Sequence, residues 1–411
     1  MRRIDRSYIL YVLERLLSLG VTFASGVIVI RMLGADGFAV YAAIVGLGQF
    51  ASTFGKLSLD EFLANRFAAG EWGRFAEIVV VAQRLMAGIA AAGVLWAMTP
   101  AFGKSDATIW HLAAVAAFAL VESLAFQEVK LQASGAFGRL SLLGTLRSTL
   151  GLAVRITLWL SGVGTVGAML AVALAELVVF RVGSYVLQPA HSVAARGSFR
   201  FPPMTQLASF LGLTILTLSY SRIDFVIGLY ALESAEFGTY MAAQRFLEAF
   251  AFLANVLGAL LMPRVATLPR DAAFAFALRT SFRFGLIGLA LCMLNVLFLA
   301  TLLPSIAGNS YPRIDQYYSI LAVGLIPLYA GLPLGRVALA QGRPIVMVTG
   351  AIVAVSATAA FFLVVFSSMA TPVRLPWSLV CGNSIGCAVV LGLVATEARR
   401  STAQSSAVDR S

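Results

Sequence analysis

Charge is what this sequence lacks most. Only 12% of its 411 residues are Asp, Glu, Lys or Arg, about half the share (about 25%) of an ordinary soluble domain. The hydrophobic fraction is 60% and the mean hydropathy is +0.89. A water-facing fold cannot bury that much apolar surface, so lipid must cover part of it. Histidine is nearly missing too, with His111 and His191 alone. The sequence has no His-Glu-x-x-His, no Gly-rich phosphate loop and no Ser-His-Asp set, which excludes the common hydrolase, metalloprotease and nucleotide-binding chemistries. Cysteine occurs three times, as Cys292, Cys381 and Cys387, each inside an apolar run. None has metal-ligand spacing to a histidine, so buried structural thiols are expected and no metal or other cofactor is implied. External loops reach no more than about a dozen residues, too short for the extramembrane part of a membrane glycosyltransferase or polymerase. The reading is a non-enzyme.

What is present is a succession of long apolar runs. A spanning helix needs about 20 mostly apolar residues. Twelve runs qualify: Ile9–Ile30, Phe38–Phe54, Ala76–Met98, Thr108–Val129, Leu140–Ser161, Val166–Leu187, Leu207–Tyr230, Phe237–Met262, Phe282–Leu303, Tyr317–Leu339, Ile345–Phe366 and Trp377–Thr396. The second is the shortest, and its true start lies nearer Gly34. None alternates as barrel strands do. The first run is too long for a signal-peptide core and reads as an uncleaved helix. The predicted fold class is all-α integral membrane, with about twelve transmembrane helices.

The net charge of +11 points to membrane topology rather than to nucleic acid, because the positive residues recur in short gaps between the runs. One set of alternate gaps holds Arg2, Arg3, Arg6, Lys56, Arg66, Arg74, Lys130, Arg139, Arg196, Arg200, Arg264, Arg270, Arg279, Arg336, Arg343, Arg399, Arg400 and Arg410. The other holds only Arg31, Lys104, Arg313 and Arg374. The asymmetry predicts both termini in the cytoplasm of a cell whose inner (plasma) membrane carries the protein.

A connection rich in Pro, Gly and Arg, between Leu187 and Leu207, divides the chain. Residues 1–190 form an N-terminal six-helix lobe, 191–206 a cytoplasmic linker, 207–397 a C-terminal six-helix lobe and 398–411 a polar cytoplasmic tail. Six is even, so a duplicated unit gives parallel repeats about the membrane normal. Phe38-Ala-Val-Tyr41 recurs as Phe237-Gly-Thr-Tyr240, and Asn65-Arg66-Phe67-Ala68 as Pro263-Arg264-Val265-Ala266. The near-constant offset supports a repeat.

Ionisable residues inside spanning helices are costly and mark function by default. Glu14, Arg15, Glu122, Arg147, Arg155, Glu176, Arg181, Arg222, Asp224, Arg245 and Glu248 lie in the runs. At 1.5 Å rise per residue, Arg155 and Glu176 fall near mid-membrane. Arg222 and Asp224 lie toward the outside, Arg245 and Glu248 from the outer half to the middle, and Arg15, Glu122 and Arg147 in the cytoplasmic half. Two readings stand side by side. Each acid pairs with an arginine and ties helices together, or arginines face a wet cavity and bind an anion, for which the planar guanidinium fork suits phosphate. The candidate substrate cations are Arg222 and Arg245, then Arg15 and Arg155. Asp224, Glu248 and Glu176 are the candidates for ion pairing, proton relay or a coupling cation. Pro327 and Pro333 fall inside the tenth run and are candidate hinges.

Three segments carry a family resemblance. Val29-Ile-Arg-Met-Leu-Gly-Ala-Asp-Gly-Phe-Ala-Val-Tyr41 resembles the junction between helices 1 and 2 of the polysaccharide and O-antigen flippases in the multidrug/oligosaccharidyl-lipid/polysaccharide (MOP) exporter superfamily. Ile223-Asp-Phe-Val-Ile-Gly-Leu-Tyr-Ala-Leu-Glu-Ser-Ala-Glu-Phe-Gly-Thr-Tyr-Met-Ala-Ala243 is similar to the family's helix 7–8 junction, with Pro263 ending helix 8. Ala340-Gln-Gly-Arg343 looks like its turn after helix 10. The resemblance implies two lobes around a central cavity that opens alternately to either side. It implies an undecaprenyl-diphosphate-linked oligosaccharide as substrate, moved to the periplasmic leaflet for O-antigen, capsule or exopolysaccharide synthesis. The bilayer and the glycan polymerase or export machinery would be its partners, and nucleic acid would not. The sequence ends without the two further helices of the lipid II flippase branch. Two other readings stay open: a cation-coupled drug or small-solute exporter of the same superfamily, and a non-transporting scaffold for glycan assembly.

Overall fold

The structure is a computed structural model of the whole chain. It describes residues 6–56, 78, 80–86, 88–90, 93, 109–133, 137–188, 204–265, 268–341 and 343–408, with some side chains inside these ranges left out. Helix is the regular structure of these residues, and they form two compact units, Met1–Leu218 and Ser219–Ser411.

In the first unit α1 runs from Arg6 to Lys56 and covers the first two predicted spans. It breaks at Gly34, where φ is 64° and ψ is 179°. Only glycine adopts that conformation without strain. The helix does not simply bend there; the chain makes a step between two spans. Substituting Gly34 with Ala should cost about 1–3 kcal/mol, read as a loss of unfolding free energy in detergent. The predicted fourth span is two helices, α2 (Ile109–Ser123) and α3 (Phe126–Ala133), separated by a turn at Leu124–Ala125. Two long helices follow, α4 (Phe137–Leu160) and α5 (Val166–Val186), and α5 is capped by the Thr165 hydroxyl on the amide of Ala168. α1 packs on α2, α4 and α5, with Ile44, Ala51, Val115, Phe118 and Ala119 forming a buried seam.

α6 (Met204–Ala231) has a non-helical residue at Arg222, with φ −142° and ψ 15°. The division between the two units falls inside this helix. α7 (Ser234–Val265) follows after a two-residue turn. α8 (Arg270–Leu294) starts twelve residues before the predicted ninth span and continues through a π-helical turn, Asn295–Leu299, into α9 (Ala300–Ala307). The predicted tenth span is broken at Gly324 into α10 (Ile314–Val323) and α11 (Leu325–Ala340). Pro327 therefore sits in the first turn of a helix, where a missing N–H costs nothing, and not inside one. Pro333 is the proline inside α11. α12 (Pro344–Ala360) ends in a second π-helical turn, Phe361–Val365, and α13 (Thr371–Val408) closes the chain. Ala273, Phe274, Ala277, Leu334, Val337, Ala338, Val346, Val390 and Val394 make the core that joins α8, α11, α12 and α13.

Among the described residues six helices are long and apolar enough to cross a membrane: Gly20–Thr53, Val166–Val186, Ala272–Ala307, Ile314–Ala338, Ile345–Val365 and Val373–Ala398. Val80–Ala90 and Leu112–Glu122 are shorter apolar helices. α4, α6 and α7 have the length as well, but their cores carry Arg147 and Arg155, Arg222 and Asp224, and Arg245 and Glu248. Many large apolar side chains face outward. Leu142, Leu150 and Leu160 on α4, Phe282 on α8, and Leu363 and Val364 are all exposed. No aqueous surface would carry such a set, so the protein is an all-α integral membrane protein.

Candidate substrate and coupling site

Among the described residues, three clusters of charged side chains stand out, one in the second unit and two in the first. In the second unit, α6 and α7 bring together Arg222, Asp224, Tyr240, Gln244, Arg245 and Glu248. The backbone break at Arg222 separates two fates. Asp224 is 1% exposed, whereas the Arg222 side chain is 30% exposed. Asp224 Oδ2 accepts from the Tyr240 hydroxyl at 2.6 Å and from Gln244 Nε2 at 2.8 Å. Tyr240 and Gln244 are four residues apart on α7, so one helix face presents both donors. Arg222 is an electrostatic neighbour of Asp224.

One turn further along α7, Glu248 takes two guanidinium groups. Arg245 Nη1 lies 2.5 Å from it and Arg222 Nη1 3.8 Å. The Arg245 and Glu248 side chains are 44% and 38% exposed. Two half-exposed arginines thus share one carboxylate beside a buried acid. The exposed edges of the two guanidinium groups are planar, fork-shaped donors, the geometry that suits an oxyanion.

In the first unit Arg155 and Glu176 form a bidentate pair between α4 and α5, with a second contact of 3.1 Å from Nη2 to Oε2. Arg155 also reaches the Tyr41 hydroxyl. The arginine side chain is 6% exposed. Gly151 makes this geometry possible. Its missing Cβ leaves the space that the Glu176 carboxylate occupies. Arg155 therefore ties helices together. Its partner Glu176 does the same, which is the ion-pair reading of that residue.

The third cluster lies on α2, α3, α4 and α5. Arg181, 5% exposed, bridges Glu122 at 2.7 Å and Glu128 at 2.8 Å. Arg147 and Arg181 both stand over the Phe180 ring, at 5.5 and 5.3 Å. Lys130 Nζ approaches Gln188 Oε1 at 3.5 Å, and burial lowers its ammonium to about 8.

The expected site residues thus separate. Arg222, Arg245, Asp224 and Glu248 come together. Arg155 and Glu176 are elsewhere and pair with each other. The Arg15 and Glu14 side chains and His191 lie outside the described residues. The sequence reading also passed over Arg84, which is 1% exposed; its signal was simply an arginine within the run Ala76–Met98. Tyr240 and Gln244 were not expected in this site, although i, i+4 spacing on α7 already placed them on one face.

No family model matches the chain, and no curated protein matches it in sequence. Solved structures do. An inward-facing multidrug resistance MATE family transporter of the MOP superfamily is 18% identical, with a TM-score of 0.64 over 93% of this chain and 95% of its own. The lipid II flippase MurJ, in an inward closed conformation, is 11% identical, with a TM-score of 0.69 over 94% of this chain and 87% of its own. A MOP superfamily transporter from Pyrococcus furiosus, described as having a binding pocket of reverse polarity, is 19% identical, with a TM-score of 0.54 over 94% and 95%. This chain has the fold of the MOP superfamily transporters.

Proposed function

We propose that the protein is a transporter that moves an undecaprenyl-diphosphate-linked oligosaccharide from the cytoplasmic to the periplasmic leaflet of the inner membrane, for O-antigen, capsule or exopolysaccharide synthesis. The observation that carries this reading is the convergence of Arg222 and Arg245 on Glu248. A diphosphate cannot enter hydrocarbon without replacement of its hydration. Two partly exposed guanidinium forks supply that replacement, while a prenyl tail stays in the bilayer. The fold shared with the lipid II flippase supports a lipid-linked cargo. Arginine in place of lysine supports a phosphate, because the fork contacts two oxygens at once. Alternating access between two lobes is the mechanism this reading implies, and the glycan polymerase or export machinery is the partner that would receive the product.

The test is genetic and chemical together. Deleting the gene should cause an undecaprenyl-linked glycan to accumulate on the cytoplasmic leaflet. Complementation with Arg222→Ala/Arg245→Ala should restore no more than about a tenth of export, since losing one charge-assisted contact costs roughly tenfold or more. Arg222→Lys/Arg245→Lys should recover only part of the loss. Full export by the alanine variant would overturn the arginine site, and absence of any accumulated lipid-linked glycan would overturn the substrate.

The buried Asp224, held by Tyr240 and Gln244, favours a second reading, a cation-coupled exporter of drugs or small solutes. In that case the carboxylate is indispensable, and the arginines are dispensable.

A further inference from the structure

α8 carries a pair of like charges that the second unit does not answer. Arg279 and Arg283 are both exposed and lie four residues apart, so they stand on one face of the helix. Among the described residues neither makes an ion pair or a hydrogen bond. Like charges at this spacing repel each other unless an anion lies between them.

The opposite face of α8 is fixed. Ala273, Phe274 and Ala277 are buried in the core shared with α11. The Ser281 hydroxyl donates to the Ala330 carbonyl at 2.5 Å, and a Cβ on Gly288 would come within 2.8 Å of the Leu325 carbonyl. The helix therefore cannot roll to bring its arginines to an internal carboxylate, and their counter-charge must come from outside the protein.

The rest of the exposed face says where that counter-charge lies. Beyond the arginines come Phe282, Leu286, Leu289, Met293, Leu297 and Leu302, spaced three to five residues apart and all exposed. They form one apolar stripe. From Phe282 to Leu302 the chain climbs about 30 Å at 1.5 Å per residue, the thickness of a hydrocarbon core. Arg283 thus stands at the edge of the core, and Arg279 one turn outside it, at the level of lipid headgroups. That end of α8 faces the cytoplasm in the topology predicted from the charge asymmetry. The ligand that meets this face is apolar along the stripe and phosphate-bearing at its end. A choline headgroup brings its own ammonium to the arginines, whereas a headgroup of net negative charge brings none.

We propose that Arg279 and Arg283 together hold the phosphate of an anionic phospholipid of the bilayer, whose acyl chains lie along Phe282 and Leu286. The site rests on α8 and needs no assumption about the transported substrate.

Native mass spectrometry of the full-length protein tests it, with phosphatidylglycerol and phosphatidylcholine offered in turn. Wild type should retain one phosphatidylglycerol about tenfold better than phosphatidylcholine, the scale expected of two arginines near a lipid phosphate. Arg279→Gln/Arg283→Gln should abolish that preference, and Arg279→Lys/Arg283→Lys should keep most of it. Both arginines are exposed, and unchanged melting in detergent confirms that the Gln variant is folded. Arg313→Gln/Arg374→Gln removes two charges at the other end of the second unit's helices and should leave the preference intact. Equal preference in wild type and Arg279→Gln/Arg283→Gln would overturn the proposal. An equal loss in Arg313→Gln/Arg374→Gln would overturn it too, because net charge alone would then explain the retention. Displacement of phosphatidylglycerol by excess inorganic phosphate would replace the lipid site with a free-anion site.

Discussion

Glu176→Ala should destabilise the protein by about 3–5 kcal/mol, the cost of leaving a buried guanidinium without its partner. Arg155 is 6% exposed and holds Glu176 through both nitrogens, and Tyr41 alone cannot neutralise it. Gly151→Val should act in the same direction by a different route. Any Cβ at that position meets the Glu176 carboxylate, so the acid is pushed off the arginine while its charge remains. The paired substitution Arg155→Met/Glu176→Leu removes both charges and should return most of the stability, because well-packed apolar residues often match or exceed a buried ion pair. Unfolding in mixed detergent micelles measures all three. The series also decides what Arg155 is for. A helix clamp predicts that the Met/Leu variant keeps its transport. A substrate cation predicts that it folds and transports nothing.

Much of the span pattern was legible because an unbroken apolar run of about 20 residues is a strong signal on its own. Val166–Leu187 was expected and Val166–Val186 is found. The breaks inside spans were not legible in the same way. Gly34 was visible as a glycine near an expected helix start, and its left-handed backbone explains why the step falls there. The Asn295 π-turn gave no comparable warning. Asn295 is wholly buried, and its side-chain oxygen is taken by the Tyr318 hydroxyl of α10, a contact that no reading along one helix can foresee. Pro327 was the warning in the tenth span: α10 ends at Val323, four residues before it, where the proline has no N–H to continue the helical ladder.

The site was legible by residue type and not by pairing. Intramembrane charge alone picked out eleven residues. Which carboxylate each arginine meets depends on helix contacts between positions 21 to 59 apart in sequence, as in Arg155–Glu176 and Arg181–Glu122. Arg222, Asp224, Arg245 and Glu248 were the exception. They sit on two consecutive helices joined by a short turn, so their proximity follows from the antiparallel hairpin itself.

That hairpin makes the second large effect predictable in sign. Count the charges of Arg222, Arg245, Glu248 and Asp224. With Asp224 ionised the four cancel, and with Asp224 protonated one positive charge is left over. At an effective dielectric near 20 two unit charges 4 Å apart interact by about 4 kcal/mol, so a single charge at this distance range decides whether a diphosphate is held or let go. Binding of a proton at Asp224 should therefore strengthen diphosphate binding, and loss of the proton should weaken it. In wild type, affinity for the diphosphate should rise as pH falls. Asp224→Asn keeps an oxygen for the Tyr240 hydroxyl and for Gln244 but fixes the uncharged state. It should bind the diphosphate at least as tightly as wild type at low pH, show no pH dependence, and turn over about a hundredfold more slowly because release fails. Equilibrium binding and leaflet-transfer rates in proteoliposomes across a pH series separate the two quantities. Asp224→Asn with wild-type turnover and an unaltered pH profile would remove Asp224 from the cycle and leave it as a polar contact between α6 and α7. Asp224→Asn that binds no diphosphate at any pH would mean that the acid orders the arginines rather than switching them.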